Sequence, residues 1–526
     1  MASSFYHTPE PSGSSTTETV VESSIDHTSK ADRAEKPAHA LPPVIPSAHQ
    51  HRTLVLCFDG TGDQFDDDNS NIVQFVSLLK KDDRSKQLVY YQTGIGTYTG
   101  ASQTVSARTS QIRKMFDTMF AHSIGAHIMG GYKFLMQNYI SGDKIYIFGF
   151  SRGAYTARCL AGMLHKVGLL PASNTEQVPF AYTMYLKADK LGWRQSNQFK
   201  KAFAINVDVE FLGVWDTVGS IGFKPAGLPF ASCKTFIKTF RHAVSLDERR
   251  AKFQVNLWNE PEPEDAELGI YDKDDEEDGK EKPETDVKEV WFAGCHCDVG
   301  GGSVRNGIHN SLARIPLRWM VREIFEAKTG ILFVTKRLRE IGLDPSTIYP
   351  VVLKRPEPLD VGENIIGEPS SKDRPFRPPM FSIFKTSLPP DDPPYVVGTE
   401  EEEELADALS PMYDQMTVSR FWGTLWRFVE FVPLPVRRQW KDEQGVWKWA
   451  TRIRPNLFER RKVRWDTQRL KIHRSVKMRM DSKLSNGKKY EPGVITKRKR
   501  GWLYNLGVKL RLLDPAPVFV DLEWVE

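Results

Sequence analysis

The sequence leaves no room for a disulfide framework. Its five cysteines, Cys57, Cys159, Cys233, Cys295 and Cys297, are odd in number and spread over 526 residues, so a reducing, intracellular setting is expected. Long apolar runs are missing as well: no stretch reaches the roughly eighteen residues that a membrane helix needs. The opening "MASSFYHTPEPSGSSTTETVVESS" lacks a basic stretch followed by an apolar one, so no secretory signal is expected and the cytoplasm is the expected compartment. Charge of one sign is not in large excess: 72 Lys and Arg face 67 Asp and Glu, a net charge of +5 that does not by itself call for nucleic acid. Metal-ligand spacing is also wanting. Cys295 and Cys297 bracket His296 in a C-x-C, but no second ligand pair accompanies them, and "DDDNSN" lacks the spacing of an EF-hand loop. No metal and no cofactor are expected.

What is present reads as an α/β protein. Residues 1–50 are rich in Ser, Thr, Pro and Glu and poor in large apolar side chains, so a disordered tail is expected there. From residue 51, short apolar runs ending in glycine or polar turns alternate with helical spacing. "TLVLCF", "QLVYYQ" and "KIYIFGF" read as strands. "NIVQFVSLL" reads as a helix capped by Asn69, Ser70 or Asn71, and "IGAHIMGGYKFLMQNYI" as a long helix. The order predicts a mostly parallel sheet with helices on both faces over residues 51–335. "DVEFLGVW" and "KEVWF" continue the pattern, separated by an acidic, proline-punctuated insertion near 259–287 that reads as solvated. Residues 355–400 read as a proline-rich linker, and residues 401–526 as an extension with an aromatic helix and basic strands, packing on or covering the catalytic part.

The chemistry concentrates at strand ends. Gly149-Phe150-Ser151-Arg152-Gly153 fits G-x-S-x-G between a strand and a helix. There Ser151 is either a nucleophile on a sharp turn, flanked by glycines that permit close backbone approach, or merely the cap of the helix that follows. A nucleophilic serine needs a base and an orienting acid, in the chain order serine, acid, histidine. Asp216 in "GVWDTVG" and His296 in "GCHCDVGGG" end later strands and meet that order. Asp298 is a rival acid, but two residues from His296 it suits local turn bonding better. His165 and His242 sit in helical readings and fit less well. The loop "FDGTGD" would offer the backbone N–H of Gly60 or Thr61 to an oxyanion alongside that of Arg152, with Asp59 holding the loop.

Together "FDGTGD", "GFSRGAYTAR", "GVWDTVGSIG" and "HCDVGGG", with "YQTGIGT" and "HAVSLDERR", resemble the blocks of the α/β-hydrolase domain DUF2235, itself similar to the catalytic domain of type VI secretion phospholipase effectors of the Tle1 class. The resemblance covers roughly residues 52 to 325. It implies an α/β-hydrolase fold, Ser151 as nucleophile, His296 as general base, Asp216 as its partner, and hydrolysis of carboxylic esters, with phospholipids as the effectors' substrate. The rival expectation is an inactive hydrolase fold that only binds. The basic, aromatic C-terminal segment suggests peripheral contact with an anionic membrane, against packing on the core. Nucleic acid is not expected as a partner.

Overall fold

The computed structural model describes residues 41–526 except 61–66, 95–108, 219, 222–223, 226–236, 259–283, 371–372, 374–397, 419, 442–446, 459–460, 462–468 and 493–520. Residues 1–40 of the expected tail, residues 259–283 of the acidic insertion and much of the linker therefore lie outside the described residues, as does Thr61. The end of the expected tail is ordered instead: Val44–Ile45 pairs antiparallel with Phe333–Val334, and Ile45 is buried.

Eight strands form one sheet. In chain order they are β1 (Thr53–Phe58), β2 (Gln87–Gln92), β3 (Lys144–Phe150), β4 (Val209–Trp215), β5 (Ile237–Ser245), β6 (Asp286–Phe292), β7 (Arg469–His473) and β8 (Asp521–Val525). In space the order is β8-β7-β6-β5-β4-β3-β1-β2, and every neighbouring pair is parallel. A parallel sheet is covered on both faces, so its inner strands are apolar on both sides and not alternating. "TLVLCF" of β1 is buried throughout. Leu54, Leu56 and Phe58 pack with Ile145 and Ile147 of β3 on one face, Val55 and Cys57 with Tyr146 and Phe148 on the other.

The first face is closed by helices α2 (Thr109–Asn138), α3 (Ser151–Val167), α4 (Val178–Leu186) and α5 (Lys190–Phe203), the second by α1 (Asn71–Leu78) and α7 (Arg314–Glu326). Of the three candidate caps of α1, Ser70 is the one used, its hydroxyl accepting from the Val73 N–H at 3.3 Å. The short α6 (His296–Gly300) follows β6.

The C-terminal residues join the sheet through β7 and β8. Between them and α7 lies α8 (Glu400–Ala408), an acidic helix whose Glu403, Glu404 and Asp407 are buried against the guanidinium groups of Arg314, Arg318, Arg355 and Arg474. The segment also carries helices α9 (Arg420–Phe431) and α10 (Arg474–Asp481).

Two basic stretches also depart from their sequence readings. The basic run around His242, read as helical, is the central strand β5. Its charges are satisfied by distant elements. Arg241 bonds Glu323 and Asp286, and His242 Nδ1 lies 2.8 Å from Glu289 Oε1. Part of the basic C-terminal stretch read as strand is likewise helix α10.

The switch in strand order falls between β1 and β3, each neighbour leaving in an opposite chain direction. The carboxyl ends of strands at such a point open a crevice suited to ligands. Gly153 shows how tightly β1 and α3 meet there: a Cβ on it would fall 2.3 Å from the carbonyl oxygens of Phe58 and Asp59. Gly153→Ala should therefore destabilise the fold by about 1–3 kcal/mol, since backbone gives way poorly. A urea denaturation midpoint equal to that of the wild type would contradict this.

Candidate active site

Ser151 sits where β3 ends and α3 begins, with φ at +58°, a region that non-glycine residues rarely occupy. The turn is held from both sides. A Cβ on Gly149 would lie 2.6 Å from the Ala154 Cα and the Gly153 carbonyl oxygen, so the strand passes the helix only as glycine. No side chain caps α3: its N-cap is Phe150, and Ser151, the first helical residue, has its Oγ 2.7 Å from His296 Nε2.

Asp216 follows β4 and also has a positive φ, +43°. Its carboxylate is fully buried and surrounded by donors. Oδ1 accepts from the Ser245 N–H at 2.9 Å and from Arg461 Nη1; Oδ2 accepts from Arg461 Nη2 at 2.9 Å and the Ser245 hydroxyl at 3.2 Å. His296 Nδ1 completes the set, 2.5 Å from Oδ2. A carboxylate held by this many donors accepts only, so the imidazole proton belongs on Nδ1 and Nε2 is left to accept from Ser151. Burial alone would raise the Asp216 carboxyl, but Arg461 and His296 outweigh it and hold it well below the usual carboxylate range.

His296 opens α6, and its surroundings fix the ring. Its backbone N–H donates to Glu248 Oε2 at 3.3 Å. Phe150 lies against one side of the ring at 4.7 Å between centroids, and Phe253 meets it edge-on at 4.9 Å. The glycines after it have steric work: a Cβ on Gly300 would enter the Phe150 ring at 1.8 Å. Burial lowers the imidazole pKa below its ordinary value, with Asp216 pulling the other way. Glu248, though buried, is held at about 2, chiefly by Arg250. Asp298 serves the local turn, accepting from the N–H groups of Cys295 at 2.9 Å and Tyr413 at 3.1 Å, and burial raises it to about 6.

The loop after β1 is partly described. Asp59 accepts from Ser70 Oγ at 2.6 Å, Tyr91 Oη at 2.7 Å and the Gly60 N–H at 2.8 Å. The Gly60 donor expected for an oxyanion is thus already engaged with its neighbour's carboxylate. Arg152, the other expected donor, occupies the first turn of α3. Among the described residues no group of three metal-ligating side chains gathers.

Three participants escaped the sequence reading. Ser245 and Glu248 lie in "HAVSLDERR", which was singled out as a block without any role. Arg461 lies in a basic run that carries no local signal at all.

A family profile for the type VI secretion phospholipase effector Tle1-like catalytic domain matches residues 52–323, about half of the chain. The chain belongs to this family. Ser151, Asp216 and His296 fall inside the matched range, and Arg461 falls outside it. An uncharacterized protein of Saccharomyces cerevisiae is 39% identical over 229 residues, covering 40% of this chain and 33% of that protein, so this Tle1-like chain spans about a third of its relative's length. Among solved structures, an uncharacterized protein from Pseudomonas aeruginosa is 18% identical over 57% of this chain and 50% of its own, with a TM-score of 0.32. The Tle1 effector bound to the VgrG spike of the type 6 secretion system is 19% identical over 52% and 56%, with a TM-score of 0.27.

Proposed function

We propose that this Tle1-like chain hydrolyses carboxylic esters of lipids, phospholipids first among them, through an acyl-enzyme on Ser151. The reading rests on one observation, the unbroken line from Ser151 Oγ to His296 Nε2 (2.7 Å) and from His296 Nδ1 to Asp216 Oδ2 (2.5 Å). In this reading Ser151 Oγ attacks the ester carbonyl while Nε2 takes its proton. The developing imidazolium is stabilised by Asp216, and the oxyanion by N–H groups at the start of α3, Arg152 among them. Collapse expels the alcohol, which leaves with the proton from Nε2. Water then attacks the acyl-enzyme by the same route, giving the carboxylic acid and free Ser151. Family membership supports a lipid ester as the substrate class.

A fluorophosphonate probe tests the reading. It should form an adduct on Ser151, located by peptide mass spectrometry. The base must be neutral to act, and burial lowers the His296 pKa, so the acid limb of labelling and of kcat/KM is expected below pH ~6.5. No adduct on folded protein, together with no ester turnover, would refute it.

A further inference from the structure

Arg461 reaches the site from a part of the chain that the family match does not include. Its guanidinium is buried and bonds at both ends. Nη1 and Nη2 grip the two carboxylate oxygens of Asp216, and Nη1 also donates to the Ser245 hydroxyl at 2.6 Å. Nε and Nη2 donate to the Phe253 carbonyl at 3.1 and 2.6 Å. Phe253 is the residue whose ring edge covers His296. The loop that carries it, residues 249–256, is pinned by the same C-terminal segment. Glu430 accepts from the Ala251 N–H at 2.6 Å, and Asn456 Nδ2 donates to the Arg249 carbonyl at 3.0 Å.

We propose that Arg461 is a positioning residue for the ester hydrolysis, fixing Asp216 and the Phe253 loop as one unit so that His296 keeps its orientation toward Ser151. The inference rests on the Ser151 reading above. A planar fork suits this task, because two parallel bonds set the carboxylate plane where one ammonium would not. It also shares the Asp216 charge, leaving less of it to favour the imidazolium. The other charged groups around His296 are Glu248 and Arg250 after β5 and Asp298 on its own helix, with Glu430 one step further out on α9. Substituting Arg461 leaves all of these in place.

The test uses the full chain and three variants, Arg461→Gln, Arg461→Lys and Ser151→Ala, with kcat/KM on phospholipid vesicles and fluorophosphonate labelling followed from acid to alkaline pH. Arg461→Gln should lower the plateau roughly ten-fold and move the acid limb up by about one pH unit, as an uncompensated carboxylate now favours the imidazolium. A residue that merely held the fold together would lower the plateau and leave the limb in place. Arg461→Lys keeps the charge and loses the fork, so its limb should stay and its plateau fall. If Arg461→Gln does not fold, Arg461→Lys decides by its plateau read beside its urea midpoint: a lower plateau at the wild-type midpoint supports the proposal, and a plateau that falls only in step with the midpoint overturns it. Labelling and turnover within twofold of wild type at an unmoved limb, in either folded variant, would overturn the proposal. Full activity of Ser151→Ala would instead remove the reading beneath it, so the two failures are distinguishable.

Discussion

Replacing Ser151 by alanine should lower kcat/KM on phospholipid vesicles and on short-chain esters roughly 10⁴- to 10⁶-fold. The substitution removes one oxygen and little else. Alanine can occupy the same turn at the same cost in backbone strain, because the strained φ belongs to the junction of β3 and α3 and not to the hydroxyl. His296 keeps its bond to Asp216, and both ring contacts, with Phe150 and Phe253, persist. The denaturation midpoint should therefore stay close to that of the wild type while chemistry disappears. Unchanged turnover on both substrate types would end the case for an acyl-enzyme.

Asp216→Asn should lose activity and stability together. Asparagine tolerates the positive φ of this turn, so the backbone is not the problem. The amide brings two N–H donors into a space already filled with donors from Arg461, Ser245 and His296. One oxygen must then serve several of them, and the imidazole loses the partner that keeps its proton on Nδ1. A fall in kcat of about 10⁴-fold is expected from the wrong tautomer. Arg461 stays buried and loses the carboxylate that both its terminal nitrogens bond, which should cost about 3–5 kcal/mol in urea unfolding. Activity within tenfold of wild type would mean that Asp216 does not orient the base. The contrast with Ser151→Ala is informative, because one variant separates chemistry from folding and the other shows them joined at a single carboxylate.

Ser151, Asp216 and His296 were legible because each follows an apolar strand and stands at a polar or glycine turn, a pattern written within ten residues of each position. The parallel sheet was legible for the same reason, through "TLVLCF", "KIYIFGF" and "GVW". Strand β5 was not. Arg241 and His242 look like a solvated basic face until Glu323, Asp286 and Glu289 are brought to them from strands and helices far along the chain. Arg461 is the stronger case of the same kind. Nothing within "NLFERRKVRW" separates it from its basic neighbours, and the groups it bonds, Asp216, Ser245 and Phe253, lie more than 200 positions away. The Gly60 donor misled in the opposite direction. A glycine beside an aspartate promises a free N–H, yet the aspartate takes it.

The order of strands in space sets a timetable for synthesis. Strand β6 stands at an open parallel edge until β7, encoded long after it, comes back to pair with it. The guanidinium that grips Asp216 is translated in that same late stretch. A nascent chain on the ribosome thus has Ser151, Asp216 and His296 in hand well before Arg461, which bonds Asp216. On the proposed reading, ester hydrolysis therefore waits for the last strands of the sheet.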